Sequence, residues 1–354
     1  MSLFCYVDGV EMKSKIREYM ESLDPKQFGL KTKLKVKTIF KLGQGTGNLN
    51  YLVVVNNKKF VFRINMDHKN KTKSRKEFNS LKIVEKYSIG PKTRLIDESR
   101  KIFDTDFIIL DYIEGKTVDK TKDYLKPKMY REIGKLCAKL HSIKITKNLK
   151  KLDYNETFYG YKNHIKFVKR EYVDYLVSNL KDKILLKIIK DTFLEQSKNI
   201  PKTKYPTDIV LSQGDFCEQN VIVHKGEYKL IDFEDLELAD RANHISHLFA
   251  DFGKPLDETE KELFLKEYLK ITKVNKDNLV KKIGVWIPLK LFEIFLWSLK
   301  HSLVVKEGNM HPQFYENDNM ERNISYAKTM FKRCLRFEVI DSKYKDLDLA
   351  KVLK

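Results

Sequence analysis

The sequence predicts an α+β fold in two lobes, a small β-rich lobe over residues 1–111 and a larger, mostly helical lobe over residues 112–354. Alternating and β-branched runs crowd the first third of the chain around one helical pattern. Helical spacing dominates from residue 126 onward, and a single short hairpin interrupts it near residues 221–231. With 354 residues, 42% of them hydrophobic, there is ample material for a core in each lobe.

The elements read in order as follows. Residues 35–41 form a strand that leads into the glycine-rich turn Gly43-Gln44-Gly45-Thr46-Gly47-Asn48. Two strands follow, over residues 51–55 and 60–64, joined by an Asn56-Asn57 turn. Residues 74–86 carry Phe78, Leu81, Ile83 and Val84 at helical spacing, and Ile89-Gly90-Pro91 stops that helix. Residues 103–112 form another apolar strand, closed by Glu114-Gly115. A helix over residues 129–143 places Ile133, Leu136, Cys137 and Leu140 on one face. After the hairpin, further helices span 257–271, 277–305 and 319–336.

Bulk properties exclude several classes. No apolar run reaches the roughly 18 residues a spanning helix needs; the stretch 287–303 is broken by Lys290, Glu293 and Lys300. The N-terminus lacks a basic start followed by an apolar stretch, so no signal peptide is expected, and a cytoplasmic location is the expectation. Cys5, Cys137, Cys217 and Cys334 are far apart and lack metal-ligand spacing, which suits reduced thiols. The net charge of +20 comes from lysines spread along the whole chain. Such a distribution marks solvated surface, so no specific nucleic-acid partner is expected.

Chemistry concentrates in residues 211–234, LSQGDFCEQNVIVHKGEYKLIDFE. Asp215 and Asn220 lie five residues apart on a loop. Strands over 221–223 and 228–231 then return the chain to Asp232 and Glu234. Protein kinases use this Asp-x-x-x-x-Asn spacing: an Asp faces the acceptor hydroxyl, while the Asn and a second Asp after two strands hold metal at the nucleotide phosphates. Upstream, the glycines allow backbone N–H groups to approach phosphates. Arg63 is the only basic residue within its apolar strand core, and Glu77 lies fourteen residues on, in the next helix. A guanidinium can grip a phosphate through two N–H groups at once.

Together, Gly43–Asn48, Phe62-Arg63, Glu77, Ile89-Gly90-Pro91, Leu140-His141, Gly214-Asp215, Asn220 and Ile231-Asp232-Phe233-Glu234 resemble the aminoglycoside phosphotransferase and choline/ethanolamine kinase superfamily, over roughly residues 35–335. Its choline/ethanolamine branch is the more similar, through Ile231-Asp232-Phe233-Glu234-Asp235, Asp240-Arg241-Ala242-Asn243-His244, Phe295-Leu296-Trp297 and Tyr326-Ala327. The resemblance implies a protein-kinase-like two-lobe fold and an ATP- and Mg²⁺-dependent kinase of a hydroxylated small molecule. It implies Asp215 as the catalytic acid–base group, Asn220 and Asp232 as metal ligands, and Glu234 as an aid to metal or hydroxyl placement. It further implies nucleotide contacts from Gly43, Gly45, Thr46, Gly47, Asn48 and from Arg63 paired with Glu77. Backbone groups of Asp111, Tyr112 and Ile113 would meet the adenine. Asp215, Asp235, Glu293, Trp297 and Tyr326 would line the acceptor site, with Glu237 and Asp251 as further carboxylates.

The chain also departs from that branch. Gln213 replaces a His two positions before the catalytic Asp, a position where an amide can do the same architectural bonding. Lys300 and Asn323 stand where aromatic residues are usual, and an ammonium near a cationic acceptor would oppose it. An ethanolamine-like amino alcohol is therefore expected ahead of choline. A kinase of an aminoglycoside, sugar or other hydroxylated metabolite is the alternative acceptor class, and a nucleotide-binding pseudokinase is the non-enzymatic alternative. His244 and His247 are expected as buried hydrogen-bonding groups.

Overall fold

A computed structural model of the chain describes residues 9–42, 48–66, 72–146, 160–198, 208–307 and 320–353. The glycine-rich turn at residues 43–47, expected to approach phosphates, lies outside the described residues. The described elements begin with α1 (Gly9–Ser22), β1 (Val36–Lys41), β2 (Asn48–Val55), β3 (Lys58–Asn65), α2 (Lys73–Val84), β4 (Thr93–Asp97), β5 (Phe107–Asp111) and β6 (Lys116–Thr117). They continue with α3 (Pro127–His141), α4 (Tyr161–Val168), α5 (Asp174–Asn179), α6 (Lys183–Lys198), β7 (Ile209–Ser212), β8 (Val221–His224), β9 (Glu227–Leu230) and β10 (Glu237–Asp240). The chain then turns helical, with α7 (Arg241–Ala250), α8 (Glu258–Thr272), α9 (Lys276–Lys306), α10 (Met320–Arg336) and α11 (Leu349–Leu353). This is the mixed architecture expected, sheet-rich first and helical later.

The chain divides into two units. One holds the described residues up to Lys116 together with Ile222–Asp235, and the other holds most of the remainder. Thus the β8–β9 hairpin and the Asp232 segment belong with the N-terminal sheet.

In the first unit, a five-stranded sheet has the order β1-β2-β3-β5-β4, with β1–β2, β2–β3, β3–β5 and β4–β5 all antiparallel. Alternation sets its faces. Phe60, Phe62 and Ile64 of β3 are buried in one layer. There Phe62 stacks on Phe107 at 4.5 Å between centroids, and Tyr19 of α1 meets Phe107 edge-on at 4.9 Å. Arg63 points the other way, only 9% exposed. The helix α1 was not expected. Its buried stripe is Met12, Ile16 and Met20, a narrow one-residue-per-turn pattern in an otherwise polar segment. The strand expected at 103–112 begins only at Phe107, because Thr105 donates its hydroxyl to Asn65 O and Asp106 pairs with Arg100, diverting the backbone before it.

In the second unit, α3 packs against α8, and α9 against α7 and α10. Gly134 permits the first contact: a Cβ there would lie 2.4 Å from the Phe264 carbonyl oxygen. Pro127 opens α3, where a missing N–H costs nothing. Asp257 and Glu260 form a reciprocal capping box at the start of α8, and Asn275 caps α9 through the Asn278 N–H. Among the described residues no helix is long and apolar enough to cross a membrane.

Candidate active site

Two sets of predicted residues form compact constellations, one in each unit. In the first unit, β3 delivers Arg63 to a group of carboxylates. Its Nε donates to Glu77 Oε2 at 3.0 Å, and one terminal nitrogen donates to Asp232 Oδ1 at 2.6 Å and to Glu234 Oε2 at 3.2 Å. Glu77 reaches this point from the second turn of α2, with its side chain 4% exposed. Burial pushes Glu77 upward, to about 7; Arg63 opposes that, and the Asp232 and Glu234 charges add to it. Burial works against ionisation of Glu234 too, but Arg63, Lys73 and the Asn48 amide outweigh it and hold that carboxyl below its ordinary range. The Arg63 guanidinium is raised, since its three carboxylate neighbours overcome the effect of burial.

Asp232 sits at φ +61°, a left-handed conformation that is strained for a residue with a Cβ. The backbone there is over-determined: Phe233 is fully buried, and a Cβ on Gly90 would lie 2.6 Å from its ring. Leu230 N–H also bonds to Ile89 O at 2.8 Å. The strain places a carboxylate beside Arg63 instead of letting the strand run on. Glu234, expected to help place the metal or the hydroxyl, is here occupied by Asn48 Nδ2 at 2.6 Å and Lys73 Nζ at 3.2 Å as well as by Arg63. Asp235, expected at the acceptor, is exposed on the surface of this unit. The donors present are carboxylate oxygens with no sulfur among them, a set that suits a hard cation such as Mg²⁺.

In the Asp111–Ile113 segment, expected to offer backbone groups to the adenine, two N–H groups already have partners. Asp111 N–H bonds to Lys92 O at 2.8 Å and Tyr112 N–H to Lys59 O at 3.2 Å, so both donors are spent within the sheet unit. The segment borders a cleft of about 640 Å³, shared with Gly90, Pro91, Ile222 and His224.

In the second unit, Asp215 and Asn220 meet. Asn220 Nδ2 lies 2.9 Å from Asp215 Oδ2 and 2.9 Å from its carbonyl oxygen. Gly214 at φ +86° turns the chain out of β7, and a short helical turn over Glu218–Asn220 brings the amide back. Phe216, 1% exposed, anchors the loop against the His244 ring at 5.7 Å and Phe252 at 6.3 Å. His244 Nδ1 lies 2.6 Å from His141 Nε2, and His141 Nδ1 lies 2.6 Å from the Tyr268 hydroxyl. Arg241 donates both to that hydroxyl, at 2.5 Å, and to Asp208. Since Arg241 donates into the Tyr268 oxygen, the hydroxyl proton goes to His141 Nδ1, and His141 Nε2–H then donates to His244. The chain of bonds fixes both tautomers behind the loop. Gln213 is fully buried at the same level. The described cysteines, Cys137, Cys217 and Cys334, are free thiols.

The predicted acceptor residues divide. Tyr326 donates to Asp251 at 2.7 Å, Arg333 pairs with the same carboxylate, and Trp297 meets Tyr326 edge-on at 6.1 Å between centroids. Trp297 is 41% exposed and stacks on His301, so it is not helix core. Glu293 is elsewhere engaged: buried on α9, it is held by His164 and Lys290, each at 2.8 Å. Burial works against ionisation of Glu293, but His164 and Lys290 outweigh it and lower the carboxyl, while burial lowers the His164 imidazole in turn. Lys300 donates to Glu171 O at 2.8 Å and lies over the Tyr175 ring at 5.2 Å, its charge met by a carbonyl and a π face. Sequence reading missed Glu218, Asp119 and Tyr124. Burial raises the Glu218 carboxyl, and Asp251 and Asp119 raise it further. Burial, Glu218, Asp119 and Asp251 likewise raise the Tyr124 phenol. Glu218 stood in view between Asp215 and Asn220, whereas Asp119 lies in a single helical turn over Val118–Lys120 and Tyr124 in a turn, both too short for a periodic signal.

The whole fold has known counterparts. An ethanolamine kinase of Plasmodium vivax superposes with a TM-score of 0.63 at 18% identity, over 94% of this chain and 90% of that one. A choline kinase of Cryptosporidium parvum Iowa II gives 0.63 at 17% identity, over 98% and 99%. A spectinomycin phosphotransferase in complex with ADP and spectinomycin gives 0.60 at 13% identity, over 86% and 94%. At these identities the likeness is one of fold. No curated protein sequence matches the chain significantly. Residues 38–277, which include Arg63, Glu77, Asp215, Asn220 and Asp232, match the phosphotransferase enzyme family, and the chain belongs to that family.

Proposed function

We propose that this phosphotransferase is an ATP- and Mg²⁺-dependent kinase that phosphorylates the hydroxyl of an amino alcohol, with ethanolamine-like acceptors ahead of choline. The observation that carries the acceptor reading is the surplus of carboxylates in the second unit. Besides burial, Asp251 and Asp119 raise the Glu218 carboxyl and all three raise the Tyr124 phenol, while Arg333 pairs with Asp251 among the three. A cationic group relieves such repulsion. A primary ammonium can also donate three hydrogen bonds to these oxygens, whereas a trimethylammonium has no N–H and needs aromatic faces. Trp297 and Tyr326 offer such faces, but Asn323 and Lys300 do not.

In this reading Asp215 orients the acceptor hydroxyl and takes up its proton, held for the task by the Asn220 amide. Asn220 and Asp232 would each supply an oxygen ligand to Mg²⁺, and Arg63, positioned by Glu77, would meet the nucleotide phosphates. Bound Mg²⁺ would neutralise phosphate charge. Nucleotide use is supported by the ADP complex of the spectinomycin enzyme. That complex also favours a second reading, since an aminoglycoside carrying several ammonium groups would suit the same carboxylates.

The test is kcat/KM with ATP and Mg²⁺ for ethanolamine, choline, spectinomycin and neutral polyols. Ethanolamine should exceed choline by more than about tenfold, because two absent cage faces forgo roughly 2 kcal/mol of cation–π attraction. Choline as the best acceptor by a wide margin would overturn the preference.

A further inference from the structure

One oxygen of Glu234 collects three donors. Asn48 Nδ2 lies 2.6 Å from Oε2, and the Arg63 and Lys73 nitrogens each lie 3.2 Å from it. The Glu234 side chain is 17% exposed and that of Lys73 20%, so solvent and salt screen these contacts only weakly. An oxygen so engaged has little capacity left for a metal ion. Arg63 also spans Glu77 and Asp232, so three carboxyl groups surround the two cations. Because Arg63 and Lys73 reach the same oxygen, a single phosphate group can engage both ends at once.

We propose that Glu234 is a counter-ion that holds Arg63 and Lys73 in the nucleotide-free protein and yields them to nucleotide phosphates, which makes Lys73 a second phosphate-binding cation. The inference rests on the phosphotransferase reading above. Lys73 is well placed for the part. It opens α2 one turn before Glu77, so the helix that positions Arg63 carries the second cation on the same approach. The Asn48 amide keeps Glu234 oriented, so that Glu234 stays beside the two cations instead of turning to solvent. A nucleotide phosphate carries more negative charge than one carboxylate and replaces it as the partner of both groups.

The experiment is nucleotide affinity by calorimetry, with ADP as the probe, in EDTA and again with Mg²⁺. In EDTA, Glu234→Gln should bind ADP at least about tenfold more tightly than the unaltered protein, the scale of a released charge-assisted bond. Lys73→Gln should bind it about tenfold more weakly. In the double variant the gain from Glu234→Gln should shrink, because one of the released cations is gone. Unaltered metal-free affinity in Glu234→Gln, with a loss confined to Mg²⁺, would make Glu234 a metal ligand and overturn the proposal. So would unaltered affinity in Lys73→Gln, which sits in the first turn of its helix and decides the matter if Glu234→Gln fails to fold. If the unaltered protein binds no nucleotide at all, the phosphotransferase reading itself fails; if it binds and the variants match it, only the counter-ion role fails.

Discussion

At the scale of single residues, the site is defined by which carboxylates are already satisfied. Glu293 is closed off by His164 and Lys290, whereas Asp251, bonded to Tyr326 and Arg333, still raises the Glu218 carboxyl. Asp215 has a different kind of partner. Asn220 gives it a neutral amide donor, which orients the carboxylate without cancelling its charge. A carboxylate so held can accept a proton. Asp215→Asn should therefore lower the rate of phosphoryl transfer by about 10²–10⁴-fold, the usual cost of removing a positioned acid–base group. Nucleotide affinity should stay unchanged, because the phosphate-side cations lie in the other constellation. Steady-state turnover together with ADP titration checks both parts, and near-normal turnover would remove Asp215 from its assigned role. The Arg63–Glu77 pair was legible beforehand because a lone cation in an apolar strand and an acid in the next helix leave few alternatives. Glu234 as an anchor for Asn48 and Lys73 was not, since the three residues are separated by long stretches of chain.

At the scale of elements, the first three strands and the long C-terminal helices lie close to where their patterns place them, whereas β4, β7, β10 and α6 were not placed by pattern. The helix expected at 277–305 spans Lys276–Lys306, and the one expected at 319–336 spans Met320–Arg336. What pattern does not reveal is how closely two elements approach. The α3–α8 contact depends on Gly134, where a Cβ would fall 2.4 Å from Phe264 O, on a carbonyl that cannot swing away. Gly134→Ala removes some unfolded-chain entropy and improves helix propensity, together worth roughly 1 kcal/mol. Forcing the helices apart costs more, about 1–3 kcal/mol or above. The variant should be net destabilised, as a lowered urea midpoint. A raised midpoint would show that α3 and α8 can separate freely.

At the scale of the whole molecule, stability should depend on pH through the buried histidines behind the Asp215 loop. His141 is 5% exposed and His244 4%. Burial lowers both, His244 to about 3; for His141 the neighbouring His244 and Arg241 charges add to it. An imidazole in the unfolded chain titrates near 6.5. Because the folded values are depressed, the stability is fully present above about pH 6.5 and is lost as pH falls, where the unfolded chain takes up protons that the folded chain refuses. Each unit below 6.5 costs at most about 1.4 kcal/mol per histidine. The urea midpoint should drop between pH 7.5 and 5, and His244→Asn, though weaker at pH 7.5, should lose less over the same interval. Equal losses in the two proteins would mean that His244 is protonated without penalty.

The sequence alone determined the succession of a sheet-rich part by a helical one and singled out Asp215, Asn220, Asp232 and Glu234 as candidates for phosphoryl-transfer chemistry. Both are local properties: periodicity needs only a few turns or alternations, and Asp215, Asn220, Asp232 and Glu234 lie within twenty residues of chain. It also carried the helix α1, though three apolar residues at one per turn were too sparse to read. Tertiary structure decided which charges remain available. The engagement of Glu293, the setting of Lys300 over Tyr175, the triple hold on Glu234 and the grouping of Glu218 with Asp119 and Asp251 all join residues distant in sequence. The physical reason is that a charge's role depends on its desolvation and on its nearest partners, within about 4–6 Å. Those neighbours are set by packing, which no window of sequence contains.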